Sequence, residues 1–498
     1  MGFFSSKADH PLADTKEMRR VLAEIASHEP AAALEEAKAW IDSLTHATDL
    51  KLDLLLDRVL RLDEAVLSHA NRMARDYLNA QRPSRSQEYN MWRANYSYWE
   101  HLVAVYENCC TRYAEGDKAV KKSIDGELVM LYGRLLYAYS AMMKWSQFRY
   151  GPFDRKIWHG AGRAFLAAKA AKAERKPISF YTNAAKSTIE QEYLKSLALH
   201  SSSVNNLLPL QMEIAERIIA HLLPHFLFTD VSRPDSVYWV DVDKPLPPTR
   251  LMQPPEITAT LRFLSPGQAL EKLTEIRARI DKINLIPQEI NLGGSYIPSV
   301  VLPVIDHLAL NWMHKPPMRV HSRHPVKSRL AAINSFEGIY ARMIGTMAKD
   351  ADEAWIAEDV SIGGMGVQVP LGANDWIRIG ALAGLQPEGG ENWLIGVVRR
   401  FTRGNDGFGS VGIQTIGKLP RAVIADSRGL KTEVILLDIN QFSESSIFVD
   451  ILLAETTYEH DVPLKLVLDA RNYCLMAQSL VERGIDYSVG RYRIESCS

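Results

Sequence analysis

Asp230-Val-Ser-Arg-Pro-Asp-Ser-Val-Tyr-Trp-Val-Asp-Val-Asp-Lys-Pro-Leu-Pro-Pro-Thr-Arg-Leu-Met-Gln-Pro-Pro-Glu256 separates two kinds of sequence. Its prolines, at 234, 245, 247, 248, 254 and 255, forbid a helix, and the β-prone Val237-Tyr-Trp-Val240 sits among them, so the stretch reads as an extended connector. Before it, apolar residues recur at helical spacing. Leu52, Leu55, Val59, Leu62 and Val66 mark one buried face, and Trp92, Tyr96, Trp99, Val103, Tyr106, Cys110 and Tyr113 mark another. An aromatic stripe at strict helical spacing reads as a core seam rather than a platform for bases. After the connector, Ser265-Pro266 is expected to cap and open a helix with the apolar face Ala269, Leu273, Ile276, Ile280 and Ile283. A second helix, Leu302 to Trp312, stops at Lys315-Pro316-Pro317.

From there the period falls to two. Ile356–Val360, Gly366–Val369, Trp393–Val398, Val411–Ile416, Glu433–Leu437 and Leu464–Leu468 are short strand-like runs between Gly, Asn and Asp turns. The expected fold is α+β and multidomain. An all-helical bundle or array takes residues 1–230, and a proline-rich connector with helices takes 231–315. An antiparallel β-barrel takes 316–418. A β-rich subdomain follows over 419–498, a second, motif-less barrel being one form open to it.

Composition excludes several classes. The chain has 498 residues, 47% hydrophobic and 23% charged, as soluble globular proteins have. Lys and Arg number 58 against 59 Asp and Glu, a net charge of −1, which argues against coating DNA or RNA. Cys109, Cys110, Cys474 and Cys497 form neither a disulfide framework nor zinc spacing, so a reducing cytoplasm is expected. No apolar run is long enough for membrane insertion. Gly407-Phe-Gly409-Ser-Val-Gly412 spells a dinucleotide fingerprint, but strand-like residues follow it instead of a helix, so its glycines read as turn residues. His221 and His225 lack a third ligand, and no nucleophile has a base partner. No catalytic residue, metal or cofactor is expected.

One segment does carry chemistry. Between Asp306 and Glu337 no acidic residue occurs, while Lys315, Arg319, Arg323, Lys327 and Arg329 do. Arg319 and Arg323 stand four apart in chain that should be extended or turning. Further on, Glu358-Asp359-Val-Ser361-Ile-Gly363-Gly364 ends a strand in a glycine-rich turn. Arginine's planar fork matches phosphate oxygens and the O6/N7 edge of guanine. An aspartate accepts from guanine N1–H and N2–H, Ser361 adds a hydroxyl, and the glycines let main-chain N–H groups approach a phosphate. The set suits a guanine nucleotide held without catalysis.

Arg319-Val-His-Ser-Arg323-His-Pro-Val with Asp359-Val-Ser361-Ile-Gly363-Gly364 resembles the RxxxR and (D/N)xSxxG pair of PilZ domains, receptors for the bacterial second messenger cyclic di-GMP. The likeness covers about residues 316–418. It implies that Arg319 and Arg323 clamp the ligand while Asp359, Ser361, Gly363 and Gly364 hold its other side. It implies a barrel, no enzyme activity, and a role in motility, pilus or biofilm control, with an unidentified protein partner met by the helical domain. The segment between Arg323 and Asp359 is longer than a minimal hairpin, and such an insertion is expected to bear on stoichiometry or affinity. The alternative is a scaffold with a degenerate barrel that takes no nucleotide.

Overall fold

The computed structural model describes residues 9–80, 84–315, 321–346, 353–372, 374, 376–442, 446–460 and 462–495. The chain forms two compact units, Met1–Arg149 with Phe153–Pro317, and Tyr150–Pro152 with Met318–Ser498.

The first unit is helical. Its first nine helices are α1 (Thr15–Ser27), α2 (Pro30–His46), α3 (Leu52–Asn79), α4 (Arg85–Glu115), α5 (Lys118–Ile124), α6 (Leu128–Phe148), α7 (Arg155–Ala170), α8 (Ile189–Ser201) and α9 (Pro209–Leu222). Their starts are written in the chain. Asp14 caps α1, Ser84 with Gln87 and Thr188 with Gln191 form capping boxes on α4 and α8, and Pro30 and Pro209 occupy first turns. The predicted face of α3 is buried, as are Trp99, Val103 and Tyr106 of the aromatic stripe. A buried carboxylate ties the bundle together. Asp63 of α3 accepts from the hydroxyls of Tyr98 (3.2 Å), Tyr106 (2.6 Å) and Tyr181 (3.0 Å) and from Arg134 Nη1 (2.9 Å). Four donors offset the desolvation of one buried charge.

The proline-rich stretch is not an open connector. It supplies two strands of a small sheet, β1 (Leu227–Thr229), β2 (Tyr238–Asp241), β3 (Thr249–Arg250) and β4 (Leu261–Ser265), in the order β1-β4-β2-β3. The prolines fall between strands, and Val237, Tyr238, Val240 and Val242 are buried. Ser265 ends β4 instead of capping a helix. Gly267, at φ +52°, then turns the chain into α10 (Ala269–Ile283), and α11 (Pro298–Trp312) follows. Burial of Ser265 and its register with Leu227 hold it in the sheet. Among the described residues no helix is long and apolar enough to cross a membrane.

The second unit contains two closed antiparallel barrels of six strands each. The first uses β5 (His324–Asn334), β6 (Glu353–Ser361), β7 (Gly364–Pro370), β8 (Leu382–Pro387), β9 (Leu394–Arg403) and β10 (Phe408–Gly417). The second uses β11 (Arg421–Ser427), β12 (Leu430–Leu436), β13 (Phe448–Ala454), β14 (Pro463–Leu468), β15 (Arg471–Arg483) and β16 (Tyr487–Glu495). The circuits are β5-β6-β7-β10-β9-β8 and β11-β12-β13-β16-β15-β14. Counted from the first strand of each barrel, they are the same circuit.

Between β5 and β6 the chain forms α12 (Phe336–Met343), within the insertion the sequence flags. Its Phe336, Ile339 and Tyr340 pack with Ile333, Leu382, Ile395 and Val397 of the first barrel and with Ile435, Leu452, Tyr487 and Val489 of the second. The helix is mortar between barrels.

Candidate functional site

β6 and β7 are joined by a two-residue turn, Ile362-Gly363, which places Ser361 opposite Gly364 and Asp359 opposite Gly366. The Asp359 carboxylate accepts from Arg323 Nη1 through both oxygens, at 2.6 and 2.8 Å, and from the Gly366 N–H at 2.9 Å. Ser361 Oγ donates to the Gly364 carbonyl at 3.1 Å. The Arg323 and Asp359 side chains are 26% and 32% exposed, so the pair stands at the surface with arginine donors left for a ligand. Arg323 immediately precedes β5, whose Pro325 pairs with Asp359, and so the two motifs meet at one corner of the barrel. Arg319 lies outside the described residues.

Close approaches crowd these glycines, and at Gly364 the neighbour is backbone. A Cβ on Gly364 would stand 2.1 Å from the carbonyl oxygen of Ile413, and one on Gly366 2.9 Å from Asp359 Oδ1. Gly363 lies under His321, whose Cδ2 would be 3.2 Å from an added Cβ.

Residues that sequence reasoning missed extend this corner into a surface. Gly366 pairs with Asp359 on one side and with Gly412 of β10 on the other. Residues directly opposite in antiparallel strands share a face, so Asp359, Gly366 and Gly412 make one outward row, in which both glycines are buried, Gly366 beneath the Asp359 carboxylate and Gly412 beside the Arg400 stem. Gly412 was read as a turn glycine of a false fingerprint. Only Gly407, at φ +81°, lies in the turn, whereas Gly409 and Gly412 lie within β10. The available signal was glycine inside a strand run, which marks a place where something approaches the backbone.

Residues 16–234 match the family described as the N-terminal domain of the cyclic-di-GMP receptor FimW. The matched segment runs from α1 through α9 and β1. It thus covers the FimW-like helices and stops short of the barrels. No curated protein matches the chain.

The structure brings Arg323, Asp359, Ser361, Gly363 and Gly364 together at one barrel corner, some 85 residues or more after the FimW-like segment ends. A possible metal cluster lies elsewhere. Glu24, His28 and Glu36 bring ligand atoms within 4.8 Å of one another, the group of that kind found among the described residues, and Arg20 already bonds Glu24 at 2.7 Å.

Proposed function

We propose that this chain is a non-enzymatic receptor for cyclic di-GMP that takes the dinucleotide at the first barrel and signals through protein contacts of its helical unit. One observation carries the reading. Two stretches that share no residue, the FimW-like helices at 16–234 and the paired motifs at Arg319–Gly364, lead separately to the same ligand.

The ligand-binding residues of this reading are Arg319, Arg323, Asp359, Ser361, Gly363 and Gly364. Arg323 offers the donors that Asp359 does not occupy, and its planar fork suits a phosphodiester or the O6/N7 edge of guanine. Asp359, held in place by Arg323 and the Gly366 N–H, has lone pairs left for guanine N1–H and N2–H. No step of bond making or breaking is needed. Binding stabilises one population of the receptor, to which a protein partner responds. A cytoplasmic site of action and a role in motility, pilus or biofilm control belong to the same reading.

Calorimetry of the full chain tests it. Cyclic di-GMP is expected to bind, and Arg323→Ala to weaken binding roughly tenfold to hundredfold, as loss of a charge-assisted contact does. A chain that takes up no cyclic di-GMP sinks the proposal, and one that binds it equally well without Arg323 sinks the site.

A further inference from the structure

We propose that the helical unit holds a binding site of its own, a cavity walled by α6, α8 and α9 that takes a small polar molecule without net charge. The site shares no residue with the barrel corner, and it does not depend on the receptor reading.

The cavity measures about 520 Å³, within the range of pockets that hold small organic ligands. Trp99, Tyr137, Lys144, Glu192, Lys195 and Glu216 are among the residues that line it. The exposed residues Ala184, Ala185, Lys186 and His221 line it as well, so it opens to solvent.

Its wall is ionic. Lys144 Nζ of α6 donates to Glu213 Oε2 at 2.9 Å and to Glu216 Oε2 at 2.5 Å, both on α9. Arg217 Nε donates to Glu213 Oε1 at 2.8 Å, and Lys195 Nζ of α8 to Glu192 Oε2 at 2.7 Å. All of these side chains except Arg217 are at most 16% exposed. Burial acts to lower both lysines, but Glu213 and Glu216 beside Lys144, and Glu192 and Glu216 near Lys195, outweigh it and keep them charged. Apolar packing would hold three helices together at least as well as buried ion pairs do, so stability alone does not call for this wall. Its place around a void points to a ligand.

Charge balance selects the class of ligand. Lys144, Lys195 and Arg217 face Glu192, Glu213 and Glu216, so an entering anion or cation would break a pair without compensation. Hydrogen-bonding capacity remains on both signs. Lys144 spends two of its three N–H donors on glutamates, and Lys195 spends one, with its ammonium 4.8 Å from the centre of the Tyr137 ring. Glu192 and Glu216 each accept one of these bonds and keep lone pairs. A ligand that offers donors and acceptors side by side meets both sets. A sugar does so through its hydroxyls, and a free amino acid through its ammonium and carboxylate. The Tyr137 ring gives the apolar part of either a surface.

Calorimetry of the full chain tests this in two arms, D-glucose and maltose in one and the neutral L-amino acids in the other, against citrate and AMP as anions. A member of one arm is expected to bind, and the arm names the source. Ala220→Trp adds bulk at an exposed lining position of α9 and is expected to weaken that binding roughly tenfold or more. Glu192→Gln combined with Lys195→Gln removes both charges of one pair together and is expected to cost roughly tenfold to hundredfold. Should the paired variant melt early, Ala220→Trp decides. No binding in either arm, binding of the anions alone, or binding that every folded variant keeps within twofold overturns the proposal.

Discussion

In the first barrel the strands β6, β7 and β10 present Asp359, Gly366 and Gly412 outward, and the row ends at Arg400 of β9. In the second barrel the strands at the same places in the circuit are β12, β13, β16 and β15. Their corresponding row is Ile435, Leu452, Val489 and Glu482. Its three apolar members are buried against α12 and the first barrel, while the two glycines of the first row are buried beneath the charged side chains at its ends, Asp359 and Arg400. One topology has thus been used twice with opposite surface chemistry. Charged side chains folded over glycines make the first row polar, and a branched apolar row suits another protein surface. The second barrel has no free face to offer a nucleotide at this place, because that face is its attachment.

The largest expected effect breaks this attachment. Leu452→Asp puts a carboxylate into the seam among Ile435, Val489 and Phe336, where no partner for it is placed. A loss of roughly 4 kcal/mol or more is expected in urea unfolding, from the buried charge together with the lost apolar contact. A loss below about 1 kcal/mol would mean that the apolar row does not hold the barrels together. A smaller effect is expected on the other face. Gly364→Ala drives a Cβ against the Ile413 carbonyl oxygen, 2.1 Å away, so β7 and β10 have to separate locally. About 2 kcal/mol of stability should go, with weaker cyclic di-GMP binding alongside, since Ser361 bonds the same Gly364 carbonyl. An alanine variant as stable as the parent would remove the close approach as the reason for glycine.

The architecture was legible where the period of hydrophobicity was clean, as in Leu52 to Val66 and in the runs of the barrels. The corner of the site was legible because its residues sit in two short motifs, each local in sequence. The glycine row was not. A period of two assigns residues to faces along one strand but does not say which residues of other strands lie beside them, so Gly412 could not be matched with Gly366. Arg400 was hidden further by the bulge at Arg399, which breaks alternation itself. The proline count masked β2 because prolines exclude helix without excluding strands between them. Ser265-Pro266 carried a helix-start signal, but pairing with β1 and burial took Ser265 into a strand.

The smallest effect sharpens the comparison at the two ends of the rows, where Arg399 beside Arg400 reaches Glu482. Burial acts to raise the Glu482 carboxyl, but hydrogen bonds from Arg399 (2.6 Å) and the Tyr487 hydroxyl (2.7 Å), with the arginine's charge, outweigh it and hold the group below its ordinary value. The unfolded chain therefore takes up this proton first as the pH falls. Its stabilising contribution is whole above the ordinary glutamate value and is lost as the pH falls through the folded one. Arg399 is 39% exposed, so solvent screening keeps the contribution to about 1 kcal/mol or less. Nearby Asp486 runs the other way, because burial raises its carboxyl even though the Phe336 N–H bonds it at 3.1 Å, so acid favours its folded form. A plain acid titration would mix the two, and the difference between parent and Glu482→Gln isolates the first. The variant is expected to be less stable near neutral pH and to converge on the parent as the pH falls below the ordinary glutamate value and through the lowered folded one. A gap that persists in acid would trace the loss to packing around Tyr487, leaving the seam with apolar contact and no electrostatic latch.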